Sequence, residues 1–180
     1  FNAGFDIALF GNRLLLSANY YNSRTTDMLY LYNVSVPPFT YNTLLANIGS
    51  MRNWGTEIAI GITPLKTKDM ELNINANITF QRNKLLSLSG MYNGEMLSAS
   101  EYKSLASLDG AGFHGGYNHI VYQMVGQPLG VFYLPHSTGL ESDGNGGYTY
   151  GIADLNGGGV SLEDGEDRYV AGQAVPKTIL

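Results

Sequence analysis

Oxygen ligands crowd into one stretch, from Asp154-Leu155-Asn156-Gly157-Gly158-Gly159 to Asp164-Gly165-Glu166-Asp167. A calcium loop of the EF-hand kind needs acids or amides at positions 1, 3, 5 and 12 and a glycine at 6. Asp154, Asn156 and Gly159 fit positions 1, 3 and 6, but Gly158 and Gly165 stand at 5 and 12. Two oxygens are missing there. Displaced ligation by Asp164, Glu166 or Asp167 is conceivable, yet an acidic, glycine-rich surface turn accounts for the residues better, so no metal is expected.

Aromatic side chains offer a second chemistry. Tyr30, Tyr32, Phe39 and Tyr41 surround Pro37-Pro38, and Tyr92, Tyr117, Tyr122, Phe132, Tyr133, Tyr148 and Tyr150 follow later. Rings of this kind are amphipathic platforms on which sugars pack. Tyr30, Tyr32, Tyr41, Tyr117 and Tyr133 are the substrate-binding candidates, against the plainer reading that they pack loops together. Nothing points to catalysis. There is no G-x-S-x-G, H-E-x-x-H or P-loop, and His114, His119 and His136 lie in glycine-rich sequence without a paired carboxylate. No enzyme and no cofactor are expected.

What must position these groups is a sheet. In Met70–Gln81 the apolar Leu72, Ile74, Ala76, Ile78 and Phe80 alternate with polar Glu71, Asn73, Asn75, Asn77 and Thr79. That period of two makes a strand with one apolar and one wet face, about 40 Å long at ~3.4 Å per residue. Most globular strands are far shorter, whereas a membrane-spanning strand needs ~9–11 residues.

Composition is permissive. The chain has 180 residues, 44% hydrophobic and only 14% charged, with a formal charge of -5. No basic patch exists to neutralise phosphates, so nucleic acid is not an expected partner. Without cysteine there is neither a disulfide framework nor a thiolate site. No apolar run is long enough for a transmembrane helix. The opening Phe1-Asn2-Ala3-Gly4-Phe5-Asp6 resembles strand interior rather than a signal peptide, as if the chain were cut from something longer.

Two hairpins are predicted. Gly11-Asn12 signals a tight primed turn, which sets Leu9 opposite Leu14, Ile7 opposite Leu16, Phe5 opposite Ala18 and Ala3 opposite Tyr20. The second pairs Trp54–Ile62 with Leu72–Phe80 across a connection at 65–69, with Ile62 opposite Leu72, Ile60 opposite Ile74 and Trp54 opposite Phe80. Its wet face sets small residues and Glu57 opposite Asn73, Asn75 and Asn77. Both short turns lie at one end. At the other, residues 24–52 and 82–177 are long links, the second with a short helix capped by Ser98 and Glu101 and stopped at Asp109-Gly110. Short turns at one end and long loops at the other are the habit of outer-membrane barrels.

Four blocks also carry a family resemblance: "NAGFDIALFGNRLLLSANYYNSRTTDMLYL", "NIGSMRNWGTEIAI", "GQPLGVFY" and "DLNGGGVSLEDGEDRYVAGQAVPK". They resemble the SusC/RagA-type TonB-dependent transporters of Gram-negative outer membranes. The resemblance implies an all-β antiparallel fold, part of a 22-stranded transmembrane β-barrel with long extracellular loops. It also implies a plug, an energising TonB complex, a SusD-like surface lipoprotein partner, and import of glycan or peptide. The chain departs from that pattern in lacking a plug, a TonB-contacting segment, most of the strands and a terminal aromatic. On this reading residues 1–82 are barrel strands, 83–177 an extracellular loop region and 178–180 the start of the next strand. Leu9, Leu14, Ile60, Leu72, Ile74 and Ile78 then face membrane lipid, while Glu57, Asn73, Asn75 and Asn77 face the lumen. The alternative is a soluble β-sheet domain that binds glycans.

Overall fold

Alternating side chains carry the chain into strands almost throughout. The computed structural model describes residues 1–107, 119–163 and 165–180, and every helix or strand among them is a β-strand. Two units separate, one of residues 1–99 with 176–180 and the other of residues 100–175.

The first unit is built on β1 (Asn2–Leu9), β2 (Leu14–Asn33), β3 (Thr43–Lys66) and β4 (Glu71–Ser87), with β5 (Ser89–Tyr92) and β6 (Glu95–Ser98) as a small hairpin. Its last strand, β13 (Thr178–Ile179), pairs with Phe80 and Thr79, so the sheet order is β1-β2-β3-β4-β13, all antiparallel. The first hairpin has the predicted register, from Leu9 opposite Leu14 to Asn2 opposite Tyr21. Gly11 and Asn12 both have positive φ, 63° and 68°, as a primed turn requires.

The second hairpin departs from expectation by two residues. Ile62 faces Ile74, Ile60 faces Ala76, Ile58 faces Ile78, Thr56 faces Phe80, and Trp54 faces Arg82. The cause lies at the turn. A bulge between Ile62 and Leu65 carries β3 further, and Thr67 closes on Met70 with N–H to carbonyl at 2.8 Å. Lys66 and Glu71 then meet across the strands at 3.2 Å. Because the shift is even, every side chain keeps its predicted face.

Residues 24–52 are not the long loop expected. β2 and β3 stay paired up to Asn33 opposite Thr43, leaving only 34–42 as the connecting loop. The pairing persists because this outer ribbon has a small core of its own, with Tyr32, Ala46 and Leu97 buried together and Tyr30, Leu44, Ile48 and Tyr92 against them. Irregularities at Thr25, Met28 and Leu29 separate ribbon from wall. Gly55 marks a close approach. A Cβ there would clash with the Phe80 carbonyl and meet the Tyr21 hydroxyl at 2.7 Å, because the Tyr21 ring from the opposite strand lies over it.

The second unit holds β7 (Tyr102–Ser107), β8 (His119–Met124), β9 (Val131–Pro135) and β12 (Arg168–Gln173) in the order β12-β9-β8-β7. A separate hairpin joins β10 (Ser137–Ser142) to β11 (Tyr148–Ile152). The helix expected after Ser98 is a correction. Residues 102–107 form strand against β8, and the Ser100 hydroxyl donates to the Tyr102 carbonyl at 2.7 Å instead of capping a helix. Apolar Tyr102 packs on a core of Tyr122, Met124, Val131 and Tyr133, which rewards the strand. The expected stop at Asp109-Gly110 lies outside the described residues.

Candidate membrane wall and ligand-facing surfaces

Register sorts the four-stranded wall into rows. On one face run Leu9–Leu14–Ile62–Ile74, Ile7–Leu16–Ile60–Ala76, Phe5–Ala18–Ile58–Ile78 and Ala3–Tyr20–Thr56–Phe80. Branched and aromatic neighbours across antiparallel strands favour this pairing. Among the described residues nothing covers that face: Phe5 is 58% exposed, Ile74 50% and Leu72 49%, and Ile7, Leu9, Ile58 and Ile62 are exposed too. Leu14, Ile60 and Ile78 are half-buried among their neighbours. A bare apolar surface of this breadth marks a contact with lipid or another apolar body.

The opposite face is polar and small. Its rows are Ala8–Leu15–Gly61–Asn75, Asp6–Ser17–Ala59–Asn77 and Gly4–Asn19–Glu57–Thr79. Asn19 donates to the Glu57 carboxylate at 3.4 Å, and Thr63 donates to Asn73 at 2.7 Å. A concavity of about 840 Å³ lies along the wall, lined mainly by residues of the first two rows.

The tyrosine candidates separate. Tyr41 is 75% exposed on the ribbon loop, free to meet a ligand. Tyr30 is half-buried, edge-on to Tyr32 at 5.5 Å, and burial raises the pKa of both phenols. Tyr32 and Tyr133 are corrections. Tyr32 is fully buried, and Tyr133 is a core residue stacked on Tyr102 at 5.6 Å and edge-on to Tyr122 at 5.3 Å. Burial explains both, since neither ring presents a face to solvent. Tyr117 lies outside the described residues. Tyr148 and Tyr150 on β11 are exposed, and the density of tyrosine was the only signal for them.

A residue that sequence reasoning missed organises the second unit. The buried Arg168 guanidinium donates to the Tyr122 hydroxyl at 2.7 Å and to the carbonyls of His119 and Tyr133 at 2.8 Å each. It also lies over both tyrosine rings, at 4.7 and 5.0 Å. Its charge is spread over carbonyl and π partners, which makes its burial tolerable.

The acidic stretch next to it is self-contained. Asp154 accepts from the N–H groups of Gly157 and Gly159 at 2.6 and 2.9 Å, and Asn156 donates to Glu166. Asp167 is buried and accepts from the N–H groups of Leu155 and Ser161 at 2.6 and 2.8 Å. Those amide bonds hold its pKa below the usual carboxylate range. The carboxylates tie the loop together. Among the described residues no group of acids or histidines is arranged to hold a metal ion.

A model of the TonB-dependent receptor-like β-barrel matches residues 1–171. Among curated proteins, TonB-dependent receptor P39 of Formosa agariphila is 31% identical over 79% of the chain. TonB-dependent receptor SusC of Bacteroides thetaiotaomicron is 32% identical over 49% of it. The matched regions are 12% and 9% of those two proteins' lengths.

Proposed function

Because the chain belongs to the TonB-dependent receptor-like β-barrel family, we propose that it supplies four consecutive wall strands and the outer loops of an outer-membrane transporter. Transport itself belongs to the whole protein, of which the relatives' lengths make this a small part. The single observation behind the reading is the wall's two faces, a broad apolar side left bare and a concave polar side opposite. Leu9, Leu14, Ile60, Leu72, Ile74 and Ile78 then face lipid, and Glu57, Asn73, Asn75 and Asn77 face the lumen. A soluble glycan-binding domain would need that apolar side covered, and the described residues provide no cover.

The cargo is a glycan or peptide, imported with a SusD-like surface lipoprotein and energised through TonB by parts of the transporter beyond these residues. Exposed rings on the ribbon, Tyr41 foremost, are the cargo contacts. In the full-length transporter, Tyr41→Ala is expected to weaken cargo affinity by about tenfold, since sequestering a ring contributes ~1.5 kcal/mol or more. Heat-modifiable migration of the barrel should be unchanged. Unaltered affinity by calorimetry would return this ring to a purely structural role.

A further inference from the structure

Continuing the apolar face past its aromatic row exposes a pattern that barrel structure alone does not demand. Beyond Tyr20–Thr56–Phe80 comes the row Asn22–Trp54–Arg82, and beyond that Arg24–Arg52–Lys84. All four cations share the face of Ile58 and Ile74, since the strands alternate without a break from those rows. Four of the chain's ten Lys and Arg therefore occupy two adjacent rows.

Three cations directly opposite one another on neighbouring strands repel, and like charges so placed destabilise a sheet. No acid among the described residues offsets them. Among the described residues none of the four meets a carboxylate at ion-pair distance, and Asp27, the nearest acid along β2, lies past the ladder irregularity. Arg52 donates to the Asn22 side chain at 2.9 Å and lies over Trp54 at 5.2 Å, while Arg82 donates to the carbonyls of Gln81 and Lys177. None of these partners carries compensating charge. All four cations are exposed.

Height locates the row. From Leu72 to Arg82 is about 34 Å along β4 at ~3.4 Å per residue, or roughly 26 Å of membrane normal at ~40° tilt. The apolar band of a barrel is about 25 Å tall, so the cations stand where headgroups begin, at the end away from the short turns. We propose that Arg24, Arg52, Arg82 and Lys84 form a binding site on the outer wall for the phosphate groups of the outer leaflet's phosphorylated glycolipid. Guanidinium groups take phosphate oxygens in pairs, and the lipid anion removes the repulsion within the row. The inference rests on the outward assignment of the apolar face.

The test uses the full-length transporter, with Arg24→Gln, Arg52→Gln and Lys84→Gln combined. Wild-type protein in nanodiscs doped with bisphosphorylated lipid A is expected to retain that lipid through native mass spectrometry. Each cation near an anionic surface contributes about fivefold, so the triple variant should lose roughly a hundredfold in retention. Dephosphorylated lipid A should be lost from wild type equally, and inorganic phosphate should not displace the glycolipid. In plain detergent the variant should melt no lower than wild type, the order reversing once lipid A is present. Equal retention by variant and wild type, or of both lipid forms by wild type, would overturn the site. Displacement by inorganic phosphate would overturn the choice of lipid as the source. Should the variant not assemble, the two lipid forms on wild type decide the matter. A nitroxide at Ile60→Cys separates the failures: lipid-like oxygen access there leaves the wall assignment standing, and its absence removes wall and site together.

Discussion

Asp167 joins sequence, loop and pH in one carboxylate. Its oxygens accept from Leu155 and Ser161, closing the acidic turn from inside, and those bonds depress its pKa. A carboxylate depressed in the folded state contributes stability that is fully present above its unfolded pKa of about 3.9 and is lost as pH falls through the lower folded value. Amide exchange across residues 154–167 of the full-length protein should therefore stay slow at pH 5 and quicken below roughly pH 4. Asp167→Asn should bring fast exchange at every pH, because an amide cannot accept both N–H groups as a carboxylate does. Slow exchange in that variant would mean that Asp154 and its glycine amides hold the turn alone. Asp154 and Asp167, within the stretch the calcium spacing singled out, accept backbone N–H groups. Oxygens collected there to satisfy the chain's own N–H groups.

Strands answer to a different logic, in which face matters more than neighbour. On β4, Ile78→Lys puts a charge on the bare apolar side and should cost the assembled barrel ~2–4 kcal/mol near the midplane. Asn77→Lys, one residue before, points into the polar concavity and should cost less than ~0.5 kcal/mol. Urea titration of the full-length barrel in lipid vesicles gives both values, and equal costs would reject the two-faced wall. Period-two alternation made these faces legible in the sequence, and Gly11-Asn12 made the first hairpin's register legible residue by residue. The second register was not legible, since its bulge between Ile62 and Leu65 leaves no mark in alternation and an even slip preserves both faces. The paired ribbon beyond residue 24 was hidden because its core is assembled across distance, Tyr32 and Ala46 meeting Leu97. Arg168 was hidden likewise, its tyrosine and carbonyl partners being 35 to 49 residues away in the chain.

As a whole molecule the chain has open sides that a barrel would close. Among the described residues β1 lacks a partner on one edge, and the apolar rows are bare. Alone in water such a chain should self-associate or bind hydrophobic dye, and detergent should convert it to a single micelle-bound species. Gel filtration with and without detergent checks this. A monodisperse, dye-silent species without detergent would make the apolar rows an ordinary core. The pairing of Gln81 with Lys177, N–H to carbonyl at 2.9 Å, bears on how such a chain diversifies. β4 and β13 are adjacent in the sheet, yet the second unit lies between them in sequence. Loop-closure entropy rises only with the logarithm of length, each doubling costing about 0.6 kcal/mol. Residues 100–175 can therefore lengthen or shrink at little entropic cost to the meeting of the two strands that flank them, which keep the same rung.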